Sequence, residues 1–188
     1  MALRITTGKW RNRSLIIPPA TITRPASNRV REAIINILKH TPRVCFETLE
    51  GLFVLDAYAG SGAVGFEMLS NGASHVTFCE NHPEVVTILQ QNTKNLRVEN
   101  STTILAVACQ MLCVTQTPMD VVFIDPPYHQ DQLTSALTHL VAHGWIGTHT
   151  RVVIEHTHDE EITWTDGMHT VFKRSYGKPV IHIGRYLG

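Results

Sequence analysis

The sequence predicts an α/β fold with a mostly parallel sheet of seven strands that ends in an antiparallel hairpin. Three observations predict it. Short apolar runs alternate with stretches of helical periodicity between residues 52 and 155. The first of these runs ends in a glycine-rich turn of the kind that leads into a helix in parallel sheets. The last two strand-like runs are joined across residues 176–179, a link that is too short for a parallel crossover.

The predicted elements follow one another in a regular order. The first helix begins at residue 26, where apolar side chains recur at helical spacing and either Ser27 or Asn28 can act as the cap. Apolar runs with the length of buried strands occur at residues 52–56, 75–80, 102–107, 120–124 and 151–155. Helices are predicted between them at residues 62–70, 83–95 and 131–143. The closing hairpin pairs residues 170–174 with residues 180–186.

Length and composition suit a single domain that spans residues 1–188. With 43% hydrophobic residues, a chain of this size can bury a core of its own. The first ten residues lack the apolar run of a signal peptide, and no stretch approaches the roughly 18 apolar residues of a membrane span. The four cysteines lack paired CxxC spacing, so they are expected to be reduced thiols within apolar segments. We therefore expect a monomeric protein of the cytoplasm.

Positive charge is concentrated at the start of the chain. The whole sequence has a net charge of zero, but residues 1–43, here called the basic arm, carry nine Lys or Arg residues against the single acid Glu32. This excess favours a surface that faces a polyanion, although a solvated surface is the alternative on charge alone. Helical spacing places Arg29, Arg31 and Lys39 off the apolar face of the first helix. The candidate phosphate-binding residues are Lys9, Arg11, Arg13, Arg24, Arg29 and Arg31.

The glycine-rich turn follows the first strand of the sheet and begins at Asp56. Residues 60–65 match the G-x-G-x-x-G pattern of nucleotide-binding turns, and Glu80 lies 20 residues after Gly60, at the end of the next strand. An anionic pyrophosphate is not expected beside the Asp56 carboxylate, whereas S-adenosylmethionine carries a sulfonium and an ammonium and no phosphate. Asp56 can face the amino acid part of S-adenosylmethionine or simply cap the helix, while Glu80 can accept hydrogen bonds from the ribose hydroxyls of the cofactor. The residues predicted to bind S-adenosylmethionine are Asp56, Tyr58, Gly60, Ser61, Gly62, Glu80, Asn81 and Ala108.

A second motif, Asp125-Pro126-Pro127-Tyr128, follows the apolar strand at residues 120–124. Prolines fix the backbone, so the carbonyl groups around Pro126 are held rigidly as acceptors. A planar amine can donate to Asp125 and to a backbone carbonyl while its ring stacks on Tyr128. These hydrogen bonds restore nucleophilic character to an aromatic amine, and methyl transfer then depends mainly on alignment. We predict that the four residues are catalytic, the alternative being that the prolines only end the strand and that Tyr128 belongs to the core.

The run from His156 to Glu161 superficially resembles a metal site. Scattered polar residues after a strand more often form a solvated loop, and no second cluster of ligands at helical spacing accompanies this one. We therefore expect no metal.

These motifs are similar to those of a known family, the bacterial 16S ribosomal RNA guanine-N2 methyltransferases of the RsmD type. The resemblance spans nearly the whole chain, and its more specific parts are Gly8 to Arg13, Arg24-Pro25 and Arg29 to Glu32. It implies a class I S-adenosylmethionine-dependent methyltransferase fold, which is Rossmann-like. It also implies methylation of the N2 amine of one guanine in small-subunit ribosomal RNA, within an assembling ribosomal particle.

The chain departs from the family pattern at two places. The third strand is followed by Ala106-Val107-Ala108-Cys109, where related enzymes commonly place an Asp or Asn near the adenine. Ala108 is therefore expected to contact the adenine through backbone groups. Asn12 stands where relatives often have glycine.

Other functions fit parts of the sequence. The Asp-Pro-Pro-Tyr motif suits any planar amine, so DNA adenine, DNA cytosine and a protein glutamine are alternative substrates. The small size argues against sequence-specific DNA recognition, which normally needs an added domain. An RNA-binding protein without activity would not need Asp56, Glu80 and Asp125, and a nicotinamide oxidoreductase would leave the second motif unexplained.

Overall fold

The computed structural model describes residues 3–19, 27–126 and 130–188. The strands in these ranges are β1 (Leu3–Arg4), β2 (Ser14–Leu15), β3 (Phe53–Asp56), β4 (His75–Cys79), β5 (Thr102–Leu105), β6 (Val121–Ile124), β7 (Arg151–Thr157), β8 (Met168–Ser175) and β9 (Pro179–Tyr186). The α-helices are α1 (Asn28–His40), α2 (Ala63–Ser70), α3 (Pro83–Leu96) and α4 (Gln130–Ala142). Each element predicted from the sequence is present, with bounds that differ by at most a few residues.

A seven-stranded sheet organises the molecule in the order β5-β4-β3-β6-β7-β9-β8. The first five strands in this order are parallel, and β9 pairs antiparallel with both β7 and β8. The predicted sheet and its closing antiparallel hairpin are therefore confirmed. The carboxyl ends of the parallel strands meet at one edge of this sheet, which we call the carboxyl edge.

The central strands are apolar because both faces of the sheet are covered. All four residues of β6 are buried, as expected for a parallel strand that lies between two layers of helices. On one face, Val121, Phe123 and Val153 join a core that includes apolar residues of α1, α2 and α3. On the other face, Val122 and Ile124 pack with residues of α4 and with Trp145.

The start of the chain forms a two-stranded ribbon, β1 and β2, which the sequence did not predict. The ribbon packs on α2, where the backbone N–H groups of Thr6 and Thr7 donate to the Glu67 carboxylate at 2.7 and 3.2 Å. Gly8 has a φ of 77°, and a Cβ atom there would collide with the carbonyl oxygen of Ser70. The beginning of the basic arm is thus attached closely to the body of the protein.

The segment around His156 differs from the expected solvated loop. Strand β7 continues to Thr157 because it pairs with β9 as far as Pro179. His156 is consequently part of the sheet, and only 6% of the residue is exposed. The expectation of a solvated loop begins to hold only after Thr157, where residues 158–161 are exposed.

No helix in the described ranges is both long and apolar enough to cross a membrane.

Candidate active site

The glycine-rich turn lies at the carboxyl edge and is bonded to its neighbours on both sides. The N–H of Ala57 donates to the carbonyl of Phe123 in β6, and that of Ala59 donates to the carbonyl of Cys79 in β4, both at 3.0 Å. Gly60 and Gly62 have φ angles of 52° and 75°, a region that glycine occupies without steric cost. The turn therefore holds its backbone at the centre of the sheet edge, where ligands of such sheets bind.

Glu80 connects this turn to the end of β4. Its Oε2 atom accepts a hydrogen bond from the N–H of Gly60 at 3.0 Å. Its Oε1 atom accepts from the N–H groups of Asn81 and His82 at 2.8 and 2.9 Å. Three backbone donors thus fix the orientation of the carboxylate, which retains further acceptor capacity.

Asp56 is buried beneath the turn, with 5% of the residue exposed. Its Oδ2 atom accepts from the N–H of Gly65 at 3.2 Å in the first turn of α2, so the helix-capping role considered from the sequence is realised. Burial raises the pKa of Asp56 to about 7, the hydrogen bond from Gly65 opposes this effect, and the charge of Glu80 adds to it. A ligand cation beside Asp56 would relieve the cost of its negative charge.

The segment that follows β5 contributes a polar contact that the sequence did not single out. Gln110 follows Ala108 in a short 3-10 helix, and its Nε2 atom donates to the Tyr58 hydroxyl at 3.0 Å. Burial is the main cause that raises the pKa of Tyr58 to about 12, so the hydroxyl stays protonated. Ala108 itself is half-buried. No motif marked Gln110, because its role depends on the position of Tyr58 in the fold.

The remaining predicted cofactor residues lie on either side of this group. Ser61 is buried, and its carbonyl oxygen accepts from the side-chain amide of Asn92 in α3 at 3.2 Å. Asn81 is exposed at the start of the loop that leads to α3. The structure thus brings the residues that were predicted to bind the cofactor to one edge of the sheet.

Asp125 directly follows the buried strand β6 and keeps a solvent-accessible face. Within the described parts of the chain, no hydrogen bond to its carboxylate is found. The surrounding protein is the main cause that raises the pKa of Asp125 to about 7, and the charges of Glu155, Asp56 and Glu160 add to it. Solvent at the exposed face offsets part of this effect. Pro126 is half-buried, and Pro127 and Tyr128 lie outside the described residues.

Glu155 is a candidate that the sequence analysis missed. In the sheet, Ile124 of β6 is in register with Ile154 of β7, so Asp125 and Glu155 occupy the next positions on adjacent parallel strands. Neighbouring strands are about 4.8 Å apart, and residues in register point to the same face. Two carboxylates therefore stand side by side at the carboxyl edge. The signal was available in the predicted strand at residues 151–155, which ends in Glu155, but its meaning depends on strand order.

The cations of the basic arm occupy different places. Lys9, Arg11 and Arg13 are exposed on the ribbon, and Arg29 is exposed in the first turn of α1. The N–H of Lys9 donates to the Ser70 carbonyl at the last residue of α2. Because α2 has eight residues, its end lies about 12 Å from the glycine-rich turn along the helix axis. Arg24 lies outside the described residues.

The prediction that Arg31 lies off the apolar face of α1 is wrong. Arg31 is only 1% exposed, and its Nε atom lies 3.4 Å from Oε1 of Glu67 in α2. Its Nη2 atom donates to the carbonyl of Arg4 at 2.7 Å and to Oδ1 of Asn28 at 2.9 Å. A charged side chain is stable at such a position because Glu67 and these acceptors replace water. Arg31 therefore attaches the arm to the body of the protein.

Comparison with known proteins identifies the family of the chain. Residues 3–185 match the model of the family described as Conserved hypothetical protein 95. The Ribosomal RNA small subunit methyltransferase D of Escherichia coli strain K12 is 32% identical over 153 residues, covering 81% of this chain and 74% of that protein. The solved structure of the yhhF protein of Escherichia coli is similar with a TM-score of 0.84 and 25% identity, covering 100% of this chain and 99% of the other.

A more distant likeness concerns the fold alone. The magnesium protoporphyrin IX methyltransferase ChlM of Synechocystis PCC 6803, solved with bound S-adenosylmethionine, gives a TM-score of 0.63 at 15% identity, covering 84% of this chain and 78% of that one. Its likeness and the strand order confirm the predicted class I methyltransferase fold. The chain belongs to the Conserved hypothetical protein 95 family, the family of the RsmD-type ribosomal RNA methyltransferases.

Proposed function

We propose that this protein transfers a methyl group from S-adenosylmethionine to the N2 amine of a guanine in 16S ribosomal RNA. The observation that carries the proposal is the position of Asp125, an open acceptor one strand away from a turn whose carboxylates suit a cationic cofactor. We place the reaction in the cytoplasm, on an assembling small ribosomal subunit, with the protein acting as a monomer.

S-adenosylmethionine is the cofactor that the fold and the residues of the turn fit. Asp56 and Glu80 place two carboxylates around Gly60, which favours a ligand with positive charge and disfavours a pyrophosphate. Glu80 would hold the ribose hydroxyls with its remaining acceptor capacity, since three backbone donors already fix its orientation. When bound, the cofactor supplies an electrophilic methyl group.

The chain's own contribution to the chemistry is to align and activate the amine. An aromatic amine is a poor nucleophile because its lone pair is delocalised into the ring. The Asp125 carboxylate accepts an N–H of the amine, which raises the electron density on nitrogen and fixes its direction. When the new carbon–nitrogen bond has formed, the amine loses one proton, and ionised Asp125 or solvent water takes it.

Asp125 favours guanine over the other bases. Guanine presents two neighbouring donors, N1–H and the N2 amine, which match the two oxygens of one ionised carboxylate. Adenine and cytosine instead place a ring nitrogen acceptor beside the amine, and the second carboxylate oxygen would repel it. The negative charge of Glu155 on the adjacent strand adds to this repulsion. A glutamine amide has no second donor beside its amine in the same plane.

The basic arm supplies the contact with the RNA backbone. In a single domain of residues 1–188, Lys9, Arg11, Arg13, Arg24 and Arg29 would bind phosphates, while buried Arg31 holds the arm in place. The ribbon lies about the length of α2 from the glycine-rich turn. The RNA phosphates that it would contact therefore belong to nucleotides distant from the target base. A substrate of ribosomal size can span this separation.

A substrate panel tests the proposal. Purified protein with radiolabelled S-adenosylmethionine is incubated with 16S RNA, small ribosomal subunits, DNA and protein extract from cells that lack this gene, and the labelled product is digested and identified. We expect N2-methylguanosine from 16S RNA or from small subunits. Label in N6-methyladenine, N4-methylcytosine or methylglutamine, or no RNA label at all, would overturn the proposal.

A further inference from the structure

The end of the chain carries a second concentration of positive charge. Residues 167–188 contain four Lys or Arg residues and no Asp or Glu, whereas residues 44–166 contain fifteen acids and only three Lys or Arg residues. The cations of the C-terminal segment are Lys173, Arg174, Lys178 and Arg185. Excess positive charge therefore occurs at both ends of a chain that is neutral overall.

The sheet register places part of this charge beside the candidate active site. Strand β9 runs antiparallel to β7, with Thr157 paired to Pro179 and Glu155 paired to Ile181. Ile181 is in turn paired with Arg174 of β8. The turn between β8 and β9 therefore lies at the carboxyl edge, and Asp125, Glu155, Ile181 and Arg174 form one row across four strands. Three strand spacings separate Arg174 from Asp125, a distance of about 14 Å.

Arg174 lies over an aromatic partner. Its guanidinium carbon lies 5.6 Å from the ring centroid of Tyr176. The Tyr176 ring is half-buried against the core, and the Tyr176 N–H donates to the Pro179 carbonyl at 2.8 Å, which closes the turn. Gly177 has a φ of 94°, and Lys178 is exposed beside it. The turn thus presents a guanidinium group over an aromatic ring and an adjacent ammonium group.

We propose that the tip of the β8–β9 hairpin, residues 174–178, binds the RNA strand next to the target guanine. The exposed plane of Arg174 stacks on a flanking base while Tyr176 supports it from below, and Lys178 contacts a phosphate. This inference rests on the proposed function. The hairpin tip would then contact nucleotides close to the target guanine, and the basic arm would contact nucleotides farther from it.

Protection of an exposed sheet edge is the competing explanation, because edge strands often carry lysine to prevent pairing with another chain. It accounts for Lys173, which is in register with His182 on the opposite face of the sheet from Arg174. It does not account for the contact between Arg174 and Tyr176, or for Lys178, which lies in the turn beyond the paired residues. A protein partner would instead be expected to cover an apolar surface, and the tip has none beyond the half-buried Tyr176.

Kinetics with small subunits from cells that lack this gene test the proposal. We expect Arg174→Ala to raise the KM for subunits by at least about fivefold, since a stacked base contributes on this scale. Arg174→Lys keeps the charge but loses the guanidinium plane. Its salt dependence should therefore equal that of the wild type, while its KM should stay as high as that of Arg174→Ala. Lys178→Ala should flatten the slope of log KM against log salt by a little under one. The matched control is Lys94→Ala, which removes an exposed cation in the last turn of α3, at the opposite edge of the sheet.

Calorimetric S-adenosylmethionine affinity should be unchanged in all four variants, which verifies that they are folded. If Arg174→Ala and Lys178→Ala keep the KM and salt slope of an active wild type, the hairpin tip does not bind RNA and the proposed function still stands. If the wild type labels DNA or protein and no RNA, the proposed function fails and this inference fails with it.

Discussion

The two halves of the carboxyl edge hold their carboxylates in different ways. On the β3–β4 half, Glu80 is fixed by three backbone N–H groups, and Asp56 is buried and bonded to the first turn of α2. On the β6–β7 half, Asp125 keeps a solvent-accessible face, and its neighbour Glu155 is only half-buried. The first half is preorganised before any ligand arrives. On the second half, Asp125 offers an acceptor whose partner would be supplied by the substrate.

This difference matches what each half would bind. A cofactor that has the same shape in every turnover is served best by a fixed set of acceptors. A base that must enter, react and leave requires an acceptor that is open, and no donor in the described parts of the protein stabilises the ionised form of Asp125, whose pKa is raised. Substitutions on the two halves should therefore produce different defects.

The largest effect is expected from Asp125→Ala. Removal of the acceptor should lower the single-turnover methylation rate by about a hundredfold or more, the usual contribution of a positioned acid or base. The fold should be retained, because the side chain is at the surface. Rapid-quench measurement with saturating S-adenosylmethionine and small subunits gives the rate. A variant that methylates at nearly the wild-type rate would remove Asp125 from the mechanism.

Glu80→Ala should impair cofactor binding on the β3–β4 half of the carboxyl edge. Loss of a charge-assisted ribose contact should weaken S-adenosylmethionine binding by roughly 1.5 to 3 kcal/mol, measured by calorimetry. The control is Glu84→Ala, which removes an exposed carboxylate in the first turn of α3 and leaves the glycine-rich turn unchanged. Equal affinity of Glu80→Ala and the wild type would show that Glu80 does not hold the cofactor.

Substitutions in the basic arm should have a smaller effect on catalysis, because several cations share the contact with RNA. Replacing Lys9, Arg11 and Arg13 together with Ala should raise the KM for RNA several-fold and flatten its salt dependence by a little under one unit per lost phosphate contact. S-adenosylmethionine affinity should not change, because these side chains lie away from the turn. An unchanged KM together with an unchanged salt slope would return these residues to the solvated-surface interpretation.

The smallest expected effect is a shift in pH dependence. Ionised Asp125 is a stronger acceptor than the protonated group and is the form that can take the amine proton, so the methylation rate should rise with pH through about 7, the value to which the surroundings raise the pKa of this carboxyl group. Glu155 raises that pKa by repulsion, so Glu155→Gln should move the midpoint to lower pH. A pH–rate profile for both proteins under single-turnover conditions measures the shift. A midpoint that stays in place, or moves upward, would show that the two carboxylates do not interact as the register indicates.

Local patterns were sufficient to predict the sheet and the position of several candidate site residues at its carboxyl edge. Each buried strand is a short apolar run, and Asp56, Glu80 and Asp125 stand at the ends of such runs, where a parallel sheet gathers its functional side chains. The α1 cap at Ser27 could also be read from the sequence, and its hydroxyl does accept from the N–H of Val30. These features depend on residues that are close together in the chain.

The features that escaped prediction depend on contacts between distant residues. Arg31 is buried because Glu67, 36 positions away on another helix, neutralises it, and nothing near Arg31 in the sequence announces that partner. Glu155 and Arg174 gain their meaning only from strand register. The β1–β2 ribbon has two residues in each strand, too few for an alternating pattern to be recognised.

The central claim is that one half of the carboxyl edge binds the cofactor and the other activates the base. The most direct test measures S-adenosylmethionine affinity and the single-turnover rate at saturating cofactor for Glu80→Ala and Asp125→Ala in parallel. We predict that Glu80→Ala loses affinity and keeps most of the rate, while Asp125→Ala keeps affinity and loses the rate. If both variants lose affinity and rate in the same proportion, the two halves are not functionally separate and the claim is contradicted.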